Sequence, residues 1–177
     1  MKKKSYIPFF IVILLSISMF AGKGASQTAE EESLKSYFIF NFIKYINWPP
    51  EALSDYFTIS VYKSDKFTGR LREIAAQQKL KSMPVQIKIV NSLEEAASSH
   101  VIVIPEENSN YFSKIFQNFS NSPVLLITEK KGLGREGASI NMRVTNNKIR
   151  FSINKTSIDN HGLSVSAKLL NLALEVY

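Results

Sequence analysis

Two short runs, His100–Pro105 (HVIVIP) and Pro123–Thr128 (PVLLIT), are apolar almost without interruption. Each has the length of a strand and is too short for a core helix. A strand with no polar side must be covered on both faces, which is the situation of a central strand in a parallel sheet. Two such strands require a layer of helices above the sheet and another below it.

The surrounding pattern supplies those layers. Phe57–Lys63 (FTISVYK) and Pro84–Val90 (PVQIKIV) alternate as strands do. Asp65–Lys79, Ser92–Ser98 and Ser109–Phe119 carry apolar residues at helical spacing. The resulting β-α-β-α-β-α-β order predicts a mostly parallel sheet. Ala138–Val144 and Lys148–Asn154, separated by Thr145-Asn146-Asn147, predict a C-terminal antiparallel hairpin. The expected fold class is α/β: a three-layer sandwich with helices on both faces of the sheet. Thr156–Tyr177 reads as a single closing helix, apolar nearly all round and therefore buried on more than one side.

The entry segment reads as a helix over Glu30–Asn47, ended by Pro49 and Pro50. Leu34, Phe38, Ile39, Phe42, Ile43 and Ile46 cover one half-cylinder at 100° per residue. Tyr37 and Phe40 fall on the other half, with Ser36, Asn41 and Lys44. Packing on one sheet does not account for these two aromatics. They are expected to touch the closing helix, a second copy, or another protein. Tyr37, Phe40 and Lys44 are the candidate partner-binding residues. Tyr45 reads as core, and Trp48 as a further aromatic of a pocket or interface.

Residues 1–25 have the layout of a cleaved secretory signal peptide: Lys2, Lys3 and Lys4, then the apolar Ile7–Phe20, then small residues in Ala21–Ser26. The alternative is an uncleaved anchor, for which the apolar run is short. Residues 26–177 then form one domain. Residues 1–25 hold four lysines and no acid, so the remainder has 18 basic against 15 acidic residues, a net charge of +3. Basic residues are scattered among acids, so no clustered nucleic-acid footprint is expected. The chain contains no cysteine, which excludes disulfides, thiol catalysis, cysteine metal sites and a thiol-linked lipid anchor.

Three motifs invite a chemical reading. Gly132–Gly137 (GLGREG) matches G-x-G-x-x-G, but no helix follows it to receive a phosphate, so a flexible loop is the expected role. His100 and His161 lie outside any metal-binding spacing, and no metal or cofactor is expected. Ser164 or Ser166 near His161 evokes a nucleophile and base, yet close packing of small residues is the stronger explanation; Asp159 reads as a helix cap. No catalytic residues are assigned.

Four blocks resemble the YfiR-like family of periplasmic proteins: LKSYFIFNFIKYINWP at Leu34–Pro49, SSHVIVIPEE at Ser98–Glu107, VLLITEKKGLGREGASINM at Val124–Met142, and KIRFSINKTSIDNHGLSVSAKLLNLA at Lys148–Ala173. The resemblance implies a periplasmic regulator without catalytic residues. It implies binding to the periplasmic sensor part of an inner-membrane signalling protein, of diguanylate cyclase or kinase type, and its repression, with homodimerisation and a link to cyclic-di-GMP signalling. The absence of cysteine departs from some relatives and makes redox control an unsuitable expectation here. No direct membrane insertion is expected after signal cleavage. The rival reading is a periplasmic small-ligand-binding protein, using a cleft formed by the loops after Lys63, Val90 and Pro105.

Overall fold

A computed structural model describes residues 21–145 and 148–177. The expected signal segment falls largely outside the described residues, at 1–20, as do Asn146 and Asn147 of the hairpin turn. Among the described residues no helix is long and apolar enough to cross a membrane.

The elements follow the chain as α1 (Ala21–Lys44), β1 (Ile46–Asn47), β2 (Phe57–Tyr62), α2 (Thr68–Gln77), β3 (Val85–Val90), β4 (Val101–Ile104), α3 (Phe112–Phe119), β5 (Leu125–Thr128), β6 (Ile140–Thr145), β7 (Lys148–Ile153), α4 (Lys155–Asn160), β8 (Ser164–Val165), α5 (Ala167–Leu170) and β9 (Glu175–Val176). The main sheet has seven strands in the order β3-β2-β4-β5-β6-β7-β9. Its pairs are parallel except for β6 and β7, which are antiparallel as expected for the hairpin. A separate two-stranded antiparallel ladder joins β1 to β8.

The expected three layers are present. Every residue of β4 and β5 is buried, because each face of these strands has its own apolar layer. On one face Val101, Val103, Leu125 and Ile127 meet Ile39, Phe42 and Ile43 of α1 and Leu71 and Ile74 of α2. On the other, Ile102, Ile104 and Leu126 meet Phe112, Ile115 and Phe119 of α3. β2 is buried throughout as well: the Thr58 N–H donates to His100 Nδ1 at 3.0 Å, and Ser60 shares a 2.7 Å hydroxyl bond with Ser99. Hydrogen bonding removes most of the cost of burying these polar groups.

Several element boundaries differ from expectation. The first helix ends at Lys44 rather than Asn47, because Ile46 and Asn47 pair with Val165 and Ser164, and the Tyr45 carbonyl accepts the Ser166 N–H at 2.9 Å. α2 is shorter than Asp65–Lys79: Phe67 takes a left-handed φ of 66° before it, and Gln78 is extended after it. Only Glu95–Ser98 of the expected Ser92–Ser98 helix is helical, as a 3₁₀ turn, and a second 3₁₀ segment at Glu106–Tyr111 precedes α3.

The larger correction concerns the end of the chain. Thr156–Tyr177 is not one helix. It breaks into α4, β8, α5 and β9, with Gly162 at φ 68° turning the chain after α4. Its backbone donors find partners in other elements: Leu174 N–H bonds the Phe151 carbonyl at 2.8 Å, and Tyr177 N–H bonds that of Ile153 at 2.9 Å. Once these donors are satisfied by β7, a continuous helix has no advantage. The apolar residues therefore do not share a helical face. Leu163 and Leu169 enter the core, whereas Leu172, Leu174 and Val176 are exposed. The chain just after α1 meets this segment through the β1–β8 ladder.

Phe42 is the hub of the α1 layer, fully buried with its ring 4.7 Å from that of Phe151 and 5.8 Å from that of Phe38. Phe42→Ala is expected to lower unfolding free energy by about 3–5 kcal/mol in urea titration, while Leu172→Ala on the surface should change it by less than about 0.5 kcal/mol.

Candidate protein-binding surface

Helix α1 presents Glu30, Leu34, Tyr37, Asn41 and Lys44 to solvent, a spacing that keeps them on one line along its length. Leu34 and Tyr37 are 37% and 41% exposed. Phe40 is 1% exposed and belongs to the core cluster, so it does not line this surface. Leu34, read from the sequence as core-facing, changes places with it. The reason is α2: it covers the flank of α1 that carries Ser36 and Phe40, so α1 is buried on two sides and its free stripe is rotated accordingly.

The same contact fixes Tyr37. Arg70 of α2 lies over the Tyr37 ring at 4.9 Å and donates from Nη2 to the Tyr37 hydroxyl at 2.5 Å, while Nη1 pairs with Glu73. Lys44 donates to Gln78 Oε1 at 2.8 Å. Both candidate residues on the free stripe are thus held against α2 or the chain just after it. Two shallow depressions flank Arg70. One of about 480 Å³ is lined by Tyr37, Ile74 and Gln78, and one of about 640 Å³ by Glu32, Phe67 and Ile89. Tyr and Arg are among the side chains that most often anchor protein contacts, and here the pair is exposed and preorganised. Sequence reading found Tyr37 but missed Arg70, which lies 33 residues away and has no local signal.

Two of the loops expected to form a small-ligand cleft are bonded to each other. At the carboxyl ends of β2 and β4, Lys66 and Ser64 both bond Glu107, at 2.9 and 3.1 Å. Asn108 donates to the carbonyls of Tyr62 and Lys63, each at 3.1 Å. At the end of β5, buried Glu129 receives Lys35 of α1 at 2.6 Å, and Lys35 also meets Glu31 at 2.5 Å. Burial alone would lower the Lys35 pKa, but Glu129 and Glu31 together raise it above the ordinary lysine value. The Lys35–Glu129 pair ties the middle of α1 to the loop after β5.

Both histidines are structural. His100 accepts from Thr58 through Nδ1, faces the Ala52 carbonyl through Nε2 at 2.9 Å, and stacks on Phe57 at 4.6 Å. His161 Nδ1 donates to the Val124 carbonyl at 2.8 Å. Neither Ser164 nor Ser166 bonds His161: Ser166 Oγ caps α5, and Ser164 Oγ accepts from Asn47. Asp159 is not a cap. It pairs with Lys155 at 2.5 Å, and Asn154 caps α4 by accepting the Ser157 N–H at 2.8 Å. Among the described residues no three His, Asp or Glu side chains converge as a metal site.

The Gly132–Gly137 loop is packed rather than flexible. It forms the crossover from β5 to β6, with Leu133 buried in the α3 layer. Gly137 has φ 116°, and a Cβ there would lie 2.6 Å from the Phe116 ring. Asn154 Nδ2 donates to the Gly134 carbonyl and Ser157 Oγ to the Gly137 carbonyl, at 2.8 and 2.6 Å. The glycine block and the Phe-x-Ile-Asn block are therefore two halves of one structure. Trp48, buried, packs edge-on against Phe57 at 4.9 Å, and Tyr45 is half-buried under Lys168.

A model of the YfiR/HmsC-like family matches residues 32–174. The chain belongs to the YfiR/HmsC-like family. That family is known as one of periplasmic regulators. Among solved structures, the ABC domain from Streptococcus pneumonia in complex with L-Trp is similar at 12% sequence identity and a TM-score of 0.48. The likeness covers 68% of this chain and spans 55% of the length of that one.

Two outcomes test this description. Lys35→Met leaves Glu129 buried without its partner and should cost about 3–5 kcal/mol, whereas Lys35→Met with Glu129→Gln should recover much of the loss in a double-mutant cycle. Burial holds His100 and His161 below the ordinary imidazole value of 6.5. As pH falls through that value the unfolded chain takes up protons before the folded one, so stability present above it is lost below it. The urea midpoint should therefore drop between about pH 7.5 and 5.5, and His100→Asn, whose amide oxygen can accept the Thr58 N–H, should reduce the slope.

Proposed function

We propose that this chain is a periplasmic, non-enzymatic regulator that docks on the periplasmic sensor part of an inner-membrane signalling protein, of diguanylate cyclase or kinase type, and represses it. The observation that carries this reading is the free stripe of α1: an exposed leucine and an exposed tyrosine on a helix locked to its neighbour by Arg70 and anchored by Lys35. A rigid helix face with aromatic and arginine anchors loses little conformational entropy on binding. Membership of a family of periplasmic regulators supports the same class of role. Repression follows if the sensor's inactive arrangement offers this face a better fit than its active one, since only a difference in affinity shifts an equilibrium. The small-ligand alternative has less support at the strand ends, where Ser64, Lys66, Glu107 and Asn108 bond two of the expected cleft loops to each other.

A photo-crosslinker placed on the α1 stripe of the exported protein in intact cells is expected to capture an inner-membrane signalling protein. Tyr37→Ala should weaken binding to that protein's purified periplasmic part by roughly tenfold or more, an effect of about 1.4 kcal/mol, with an unchanged melting temperature. Phe40→Ala should instead lower the melting temperature. Retention of capture and repression by Tyr37→Ala combined with Leu34→Glu sinks the assignment.

A further inference from the structure

The β6–β7 hairpin has two unlike faces. One puts Met142, Phe151 and Ile153 into the core beneath α1. The other carries Asn141, Arg143, Arg150 and Ser152, and no residue of β6 or β7 joins the apolar layer beneath α3. In the antiparallel register Arg143 stands directly opposite Arg150. Like charges at directly opposed positions repel and weaken a ladder. Among the described residues no carboxylate lies within salt-bridge distance of either arginine, or of Lys131 nearby.

These side chains line a concave basin of about 290 Å³ between the glycine loop, the hairpin and β9. Four cations (Lys131, Arg135, Arg143 and Arg150) surround it, against one carboxylate, Glu175. Glu175 is engaged at the edge, bonded to the Tyr177 hydroxyl and 3.9 Å from Arg135, whose guanidinium lies 4.8 Å over the Tyr177 ring. The basin is built rather than accidental. Asn141, buried, donates to Thr128 Oγ1 and to the Lys130 carbonyl at 2.7 and 2.8 Å, which fixes the start of the loop. Gly134 lets the loop lie flat on the hairpin, since a Cβ there would sit 2.7 Å from Ser152 Oγ.

We propose that this basin binds a small, multiply charged oxyanion of the phosphate class, with Arg143 and Arg150 as its paired ligands and Lys131 and Arg135 at the rim. Planar guanidinium forks match the oxygens of such an anion, and an anion between two opposed arginines turns their repulsion into attraction. The volume, at the small end of ligand pockets, suits a compact ion. The site lies on the face of the sheet opposite α1, so this inference does not depend on the docking reading.

The test is thermal unfolding of the full protein at low ionic strength in inorganic phosphate, against sodium chloride of matched ionic strength. Phosphate at about 100 times its Kd should raise the melting temperature by roughly 5–10 °C beyond the chloride control. Arg143→Gln and Arg150→Gln should each abolish that rise while leaving the anion-free melting temperature equal or higher, which a merely structural arginine would not do. A phosphate response no larger than that to chloride, or one that survives in the double variant, overturns the proposal. So does arginine-dependent sedimentation with phosphatidylglycerol vesicles by a protein that ignores free phosphate.

Discussion

Everything in this fold follows from two strands that have no polar side. β4 and β5 are buried along their whole length, so the chain must supply an apolar layer above them and another below. α1 and α2 form the first layer, and α3 with the glycine crossover forms the second. Without a disulfide or a cysteine to assist it, the domain is held by this double burial and by buried hydrogen bonds such as those of Thr58 N–H with His100 and of Ser60 with Ser99.

The surfaces proposed for binding lie where that covering stops. α1 is buried by the sheet on one side and by α2 on another, and what is left over is a narrow stripe with Leu34 and Tyr37 on it. Tyr37 owes its fixed position to Arg70, so a contact between the two helices shapes the surface. On the opposite face the helical layer ends before β6 and β7. The hairpin there carries arginines where a covered strand would carry valine or isoleucine. One sheet thus underlies the proposed partner face and, on its other side, the proposed anion basin.

Strands β2 to β7 and the layer architecture were legible from the sequence because each local signal agreed with the global fold. HVIVIP and PVLLIT had to be central, and the Asn-Asn turn fixed the hairpin. The closing segment was not legible, because Leu163, Leu169, Leu172 and Leu174 can be placed on a helix surface as readily as on alternating strand positions. What decided between them was the free edge of β7 and the extended chain at Ile46–Asn47, which offered backbone partners that periodicity does not record. Phe40 was misplaced for a related reason. A single-helix projection gives one buried face, and α1 has two neighbours.

The sequence by itself determined the strands β2 to β7, that the sheet is covered on both sides, and that no thiol chemistry is available, since these depend on composition and local spacing. Only the tertiary structure decided that Tyr37 meets Arg70, that Glu129 meets Lys35, and that Arg143 and Arg150 overlook one basin beside a flattened glycine loop. Those meetings join residues far apart in the chain. They are set by how layers stack and strands register, and a linear pattern carries no term for either.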